Sequence, residues 1–306
     1  MDEVDLRLCQ MLWKDPRIPY REIADRLSIS IQAVHRRVKI LLDSGVIRFF
    51  RANVSLGYLG AVPVNVTGRS EAESVEKVVG ELGKNDSVAA LLVASGNFLY
   101  VHGLLRDISD LDSFAEFARK AAMLPDPRVS IGRHMPSEKS PAKIAGDDPR
   151  KLTPLDLRII GAMHLDARKS TTDVADELGV SAATVRRRLE KMTKESSIEI
   201  VTEIDPTPSG DVCSYLHVTL KDGVDRMKAG TRLAAQFEPR LVYFVPFSNL
   251  PNFLLFATWT KTVSDLAKLT ESVRRDDSVR SVVCNVALAG HYFETWRDKL
   301  PASAAR

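Results

Sequence analysis

The stretch SISIQAVHRRVKILLDSGVI (28–47) returns 151 positions later as GVSAATVRRRLEKMTKESSI (179–198). Between 22–47 and 173–198, eight of 26 positions are identical: Ala24, Asp25, Leu27, Ser30, Val34, Arg36, Arg37 and Ile47. Chance would give roughly one or two such identities, so the chain carries an internal duplication. VDLRL (4–8) and LDLRI (155–159) keep the same offset and extend it towards the N-terminus.

Each copy reads as three short helices. In the first, Val4, Leu8 and Leu12 form one apolar stripe, and Pro16 and Pro19 end that helix. Ile23, Ala24 and Leu27 are the inner face of the second helix. Ser28-Ile29-Ser30 then makes a tight turn with Ile29 as its apolar plug. Ser30 is placed to cap a third helix whose buried face is Val34, Val38 and Leu41, and Gly45 stops it. The second copy repeats the scheme with Leu155, Ile159 and Met163, then Val174, Ala175 and Leu178, then Ser181, Val185, Leu189 and Met192.

An α/β stretch follows each trio. Strands are predicted at 61–67, 87–95, 98–105 and 128–134, with helices at 71–82 and 110–122. CSYLHVTL, 224–236, LVYFV, FLLFATW, 264–275 and VRSVVCNVAL follow in the same order in the second half. The order βαββαβ predicts a four-stranded antiparallel sheet with helices on one face, so the fold class is α+β: two repeats, each a helix-turn-helix trio followed by a ferredoxin-like α/β sandwich. On CSYLHVTL, Leu216, Val218 and Leu220 should meet the helices; Cys213, Tyr215 and His217 should pack towards the other half. The predicted domains are 1–57, 58–135, 152–206 and 207–300, with a polar, proline-bearing linker at 136–151.

The bulk composition excludes more than it identifies. A net charge of +3 is too small to argue for nucleic acid by itself, but its distribution is uneven. Residues 28–51 hold five basic side chains against Asp43, and 181–194 hold five against Glu190. Cys9, Cys213 and Cys284 are far apart and make no disulfide or zinc pattern, which fits a reducing cytoplasm. The most apolar run, YFVPFSNLPNFLLFATW (243–259), is broken by Pro246 and Pro251, so two strands and a turn explain it better than a membrane span.

With Val34, Val38 and Leu41 turned inward, the opposite face of the third helix carries Gln32, His35, Arg36 and Lys39. That strip is rich in donors and suits the major groove of duplex DNA. Arg36 and Arg187 are the arginines placed to grip a base edge. Arg37 and Arg188 lie nearer the buried stripe and support packing or hold a phosphate. Ser30 and Ser181, at helix N-termini, suit phosphates, and Arg48 and Arg51 suit uniform backbone contact. The second copy presents Ala183, Arg186, Arg187 and Glu190 instead. Residues 1–57 carry ten basic and seven acidic residues; residues 151–205 carry nine and ten, which predicts a stronger first binder.

The residues VDLRLCQML, EIADRLSIS running into HRRV, and GVIRFFRANVSLGYLG (45–60) resemble the Lrp/AsnC, or feast/famine, regulators. Leu59-Gly60 and Asp205-Pro206 match that family's marks after the hinge strand. The resemblance implies a sequence-specific regulator of transcription in which sheets of two units pack face to face, as a homo-oligomer or within one chain. It also implies an effector, an amino acid or related compound, at the loop between the second and third strands. That loop reads Gly96-Asn97-Phe98 here and Asn252-Phe253 in the second half, and the family's aspartate is absent from both. Gly96, Asn97, Phe98 and Asn252 are therefore the residues carried over. No catalytic residue, metal or other cofactor is expected. Two other readings stay open: a sirohaem-decarboxylase-like enzyme, for which His102 and His134 read as isolated structural residues, and a sensing or oligomerising protein with one working helix trio.

Overall fold

The computed structural model describes residues 1–132 and 152–303, so the expected linker and His134 lie outside the described residues. The first trio is α1 (Glu3–Lys14), α2 (Tyr20–Leu27) and α3 (Ile31–Asp43), followed by strand β1 (Ile47–Val54) and the single turn α4 (Leu56–Leu59). Leu8, Leu12, Ile23, Ala24, Val34, Val38 and Leu41 are buried, and Ser30 Oγ accepts from the Ala33 N–H as the N-cap of α3. Ile29 is only half-buried, a weaker plug than expected.

Two turns of the trio need left-handed backbone. Ser28 stands there at φ 54° and Gly45 at φ 77°. Their counterparts 151 residues on are Gly179 at φ 67° and Ser196 at φ 53°. Each copy therefore uses glycine at one of the two positions and serine at the other. The left-handed region costs a non-glycine residue roughly 1–2 kcal/mol, partly offset because glycine gives the unfolded chain more freedom. Ser196→Gly should raise stability by about 0.5–1 kcal/mol, read as a higher denaturant midpoint at unchanged slope.

The first α/β stretch contains β2 (Val62–Arg69), α5 (Val75–Leu82), β3 (Val88–Ala94), β4 (Phe98–Leu105), α6 (Leu111–Ala121) and β5 (Arg128–Ile131). The second trio is α7 (Pro154–Ala162), α8 (Thr171–Leu178) and α9 (Ala182–Lys194), with strand β6 (Ile198–Ile204) after it. The second α/β stretch contains β7 (Val212–Leu220), α10 (Arg226–Gln236), β8 (Leu241–Phe247), β9 (Leu250–Thr260), α11 (Val263–Arg274) and β10 (Val279–Tyr292), and the chain continues to a final turn, α12 (Leu300–Ser303). The apolar run at 243–259 is indeed two strands turning at Ser248-Asn249.

The chain forms two compact units, and each is assembled from matching parts of both repeats. One holds the helix trios (Arg7–Ala61, the described part of His134–Asp205, and residues from Glu294 onward). The other holds both sheets (Met1–Leu6, the described part of Val62–Arg133, and Pro206–Phe293). In the helix unit, β1 and β6 pair antiparallel with Phe50 opposite Thr202 and Val54 opposite Ile198. Residues from Glu294 to Leu300, expected with the second sheet, belong to this unit. Arg297 Nε donates to the Val54 carbonyl at 2.7 Å and its guanidinium pairs with Glu199. Asp298 pairs with Arg51 at 3.0 Å.

In the sheet unit the strand order is β5-β2-β4-β3-β10-β7-β9-β8, two ferredoxin-like sheets in series. The two sheets join edge to edge through β10, and their inner faces also meet as expected, with the Tyr100 ring 4.9 Å from the Tyr215 ring and its Oη 2.7 Å from His217 Nε2. β10 is 14 residues long, and its first half pairs with β7 while its second half pairs with β3. The outer edges also meet. Gly132 bridges Phe247, and the Ser248 N–H donates to the Ile131 carbonyl at 2.8 Å. The Asn249 amide completes the seam, accepting from the Ile131 N–H at 2.9 Å and donating to the Val129 carbonyl at 3.0 Å. The outer strands thus meet at one end and close the sheet into a barrel there.

Helices cover the outside. Leu216, Val218 and Leu220 pack with Ala229, Leu233 and Val273, as the alternation on β7 predicts. Val64, Val66, Val101 and Phe114 pack in the other half. Gly103 allows the latter approach, because a Cβ there would lie 2.2 Å from Phe114 Cζ. An eight-stranded barrel is just wide enough for side chains to fill, and Tyr100, Tyr215, Phe247 and Phe253 fill this one.

Candidate nucleic-acid interface

The inward stripe of α3 fixes what its other side shows. Gln32, His35, Arg36 and Lys39 are exposed, and Arg37 is half-buried at the rim of the stripe. Among the described residues Arg36 and Lys39 have no ion-pair partner. Their charge is therefore open to an outside anion. His35 is held: its ring meets Tyr20 edge-on, with centroids 4.5 Å apart. Tyr20 is in turn covered by the Arg168 guanidinium at 4.3 Å. Arg168 comes from the second trio, between α7 and α8, and donates to the Pro16 and Ile18 carbonyls at 2.7 and 3.0 Å. A residue of one repeat thus staples the entry to the helix-turn-helix of the other.

On α9, Arg186, Arg187 and Glu190 are exposed, and the two arginines have no ion-pair partner among the described residues. Ser181 caps this helix by accepting from the Thr184 N–H at 3.1 Å. Arg188 is committed inward to Asp156 at 3.4 Å, beside the capping box of α7. Arg48 and Arg51 are also committed. Arg48 pairs with Glu203 across the β1–β6 ladder, and Arg51 reaches Glu203 at 3.3 Å and Asp298 at 3.0 Å. The structure therefore divides the twelve residues singled out for DNA: the helix-face set is presented outward, while Arg48, Arg51 and Arg188 hold the unit together.

The four loop residues singled out for an effector lie in the sheet unit. Gly96 and Asn97 both have positive φ, 70° and 57°. The Asn97 amide is used internally, donating to the carbonyls of Ser70 at 2.6 Å and Ala72 at 3.4 Å. Asn252 donates to Asp222 Oδ1 at 2.9 Å. Phe98 turns into the barrel, 5.1 Å from the Tyr100 ring and 5.5 Å from the His217 ring.

The barrel interior brings together polar groups that were not linked in the sequence. Tyr100 Oη lies 2.7 Å from His217 Nε2 and accepts from Asn285 Nδ2 at 2.8 Å. A hydroxyl that accepts from Asn285 has its proton to give, so the network assigns His217 Nε2 as acceptor and its ring as neutral. Burial, aided by the Arg128 charge, lowers the His217 pKa to about 4. Burial alone lowers that of His102 to about 4. The signal for this cluster was the alternation on β4, where Phe98, Tyr100 and His102 share a face. Which strand would lie opposite that face required the closed barrel.

The winged helix-turn-helix DNA-binding family model matches residues 1–48, and the AsnC-type helix-turn-helix domain model matches residues 152–193. The HTH-type transcriptional regulator LrpA of Pyrococcus horikoshii is 34% identical over 113 residues, covering 36% of this chain and 80% of that protein. The HTH-type transcriptional regulator FL11 of Pyrococcus abyssi is 31% identical over 122 residues, covering 38% and 78%. The siroheme decarboxylase NirDL shares the fold, with a TM-score of 0.60 at 13% identity over 99% of this chain and 97% of that one. Two helix-turn-helix trios with outward cationic faces, each preceding a ferredoxin-like sheet, agree with these sequence matches: the chain belongs to the Lrp/AsnC family of DNA-binding transcription regulators, in a form that carries two units in tandem.

Proposed function

We propose that α3 is the principal reading head of a cytoplasmic, sequence-specific regulator, with α9 a weaker second head on the same chain. The observation that carries this is the exposed strip Gln32, His35, Arg36 and Lys39, whose Arg36 and Lys39 lack ion-pair partners among the described residues. On α9 the position of Lys39 is taken by Glu190, which repels phosphate. Ser30 and Ser181 place helix N-termini against the backbone. Because the β1–β6 and β3–β10 pairings are made within one chain, a single chain supplies the pseudo-dimer for which single-unit members would need two copies. Control by a small effector bound to the sheet unit completes the reading.

Selection of bound fragments from random duplexes, followed by titration at several salt concentrations, tests it. Affinity should fall steeply with salt, in proportion to the phosphates neutralised. Arg36→Ala should weaken the selected site about 10–100-fold, the loss of one bidentate base contact of about 1–3 kcal/mol, while leaving random DNA nearly unchanged. Arg187→Ala should cost less than about threefold. Equal losses on selected and random DNA would remove base reading from Arg36.

A decarboxylase reading draws on the shared fold of NirDL and on the Tyr100–His217 pair. The recess beside that pair is about 10 Å³, room for a single water, against the roughly 300–1,000 Å³ of pockets for drug-sized ligands, and a tetrapyrrole is larger still. The regulator reading is preferred on that ground. Tetrapyrrole absorbance on the purified protein would reverse the preference.

A further inference from the structure

The outward face of α3 is tied to the second repeat through three side chains. His35 is exposed, yet its ring meets that of Tyr20 at an interplanar angle of 90°, with centroids 4.5 Å apart. Exposed side chains ordinarily exchange rotamers freely, and an edge-to-face ring contact opposes that exchange. Tyr20 is the first residue of α2, half-buried, with the Arg168 guanidinium 4.3 Å from the centre of its ring. Arg168 is itself held. The Pro16 and Ile18 carbonyls accept from it at 2.7 and 3.0 Å, and it lies 5.3 Å from the ring of the buried Phe50. Its loop is fixed to β1, because the Ala167 N–H donates to the Phe50 carbonyl at 2.6 Å.

The tie exists on one side only. At the 151-residue offset, Arg168 corresponds to Arg17, Tyr20 to Thr171 and His35 to Arg186. Arg17 makes the reciprocal reach, to the Lys169 carbonyl at 3.5 Å, but Thr171 offers no ring for it to cover. Arg186 is exposed on α9, with neither a ring contact nor an ion pair among the described residues. The duplicated unit thus has the loop arginine in both copies and an aromatic relay from it in one.

We propose that His35 reads a base edge in the major groove and that Arg168, in the other repeat, is a positioning residue for it, acting through Tyr20. Whichever ring nitrogen carries the proton, the imidazole has an N–H to offer a purine N7, a guanine O6 or a thymine O4. Holding the ring before DNA arrives removes part of the ordering cost of binding. The sequence preference of the first helix-turn-helix therefore depends on a loop of the second. The inference rests on the regulator reading and adds to it the residues that fix one base.

Binding of the full chain to its selected duplex, to each single-base-pair variant of that duplex and to random duplex tests it. One base pair should be preferred by about tenfold through His35, the order of a single mismatch, and His35→Ala should flatten that preference to under about twofold. Tyr20→Leu and Arg168→Gln should flatten it at the same base pair, cost less than about threefold on random duplex, and add nothing when combined with His35→Ala. Tyr20→Phe keeps the ring and should keep the preference. Tyr20→Leu leaves both carbonyl bonds of Arg168 in place, so it decides the matter even if Arg168→Gln unfolds. Without DNA, the proton resonances of the His35 ring, identified by their loss in His35→Ala, should shift in Tyr20→Leu and far less in Tyr20→Phe. Equal loss on every duplex in Tyr20→Leu, an unchanged base preference, or His35 resonances unmoved by that substitution would each overturn the proposal. A chain that selects a site yet gives one of those results fails here alone. One that selects no site and binds without salt dependence fails as a regulator, and this proposal falls with it.

Discussion

Acidification from pH 7 to 5 should cost the sheet unit about 2 kcal/mol for each of His102 and His217, rising to about 3 kcal/mol each by pH 4, at 1.36 kcal/mol per pKa unit. Both imidazoles have folded pKa values lowered from 6.5 to about 4, His102 by burial and His217 by burial with the Arg128 charge adding to it. Between those two values the unfolded chain binds a proton that the folded chain does not. Stability therefore rises with pH across that window and is fully present above pH 6.5. His217 has a structural reason to resist protonation: its Nε2 receives the Tyr100 hydroxyl, flanked by Asn285, Phe98, Phe253 and the cation of Arg128. His102 faces Asn65 across the strand pair, and neither Asn65 Oδ1 nor His102 Nε2 has a hydrogen-bond partner among the described residues. Denaturant titrations at pH 7, 6 and 5 check this above most of the carboxylate range. His217→Phe should remove about half of the slope. A midpoint unchanged between pH 7 and 5 would mean that the rings are solvated in the folded chain.

Arg297→Ala should destabilise the helix unit by about 3 kcal/mol, the low end of what removing one partner of a buried ion pair costs. The Arg297 side chain is 8% exposed, and it holds the Val54 carbonyl at the end of β1 and Glu199 near the start of β6. Without it, a carbonyl and a carboxylate lose their donor in a half-dry setting. The neighbouring Asp298 anchors the same segment. Burial pushes its carboxyl up, but hydrogen bonds from Thr295 and the charges of Arg51 and His164 outweigh that and hold it below the usual range. Its contribution is present above about pH 4 and is lost as pH falls through the lowered value. Thermal melts of Arg297→Ala, Arg297→Lys and a chain ending at Phe293 give the test. The alanine variant and the shortened chain should melt early, with lysine between them and the parent. If the shortened chain melted with the parent, residues 294–301 would have no part in holding the two strands.

The sequence by itself determined the local structure. Periodicity placed the helices and strands, because burial of one face dictates where apolar residues recur, and the 151-residue offset made the duplication plain. It also determined which residues of α3 face outward, since Val34, Val38 and Leu41 leave the helix only one free side. The exchange of serine and glycine between Ser28 and Gly179, and between Gly45 and Ser196, was visible too, although only backbone angles give it meaning. What the tertiary structure decided is everything that depends on distant partners. Arg48 and Arg51 look as free as Arg36 in a sequence, yet each meets a carboxylate supplied from elsewhere in the chain, whereas the inward lean of Arg188 towards Asp156 was legible from its place beside the buried stripe. Closure of the barrel at Asn249, the placing of Tyr100 against His217 and the orphaned Asn65–His102 pair depend on strand order. A period-two pattern records which face a residue is on, but not which strand lies across from it.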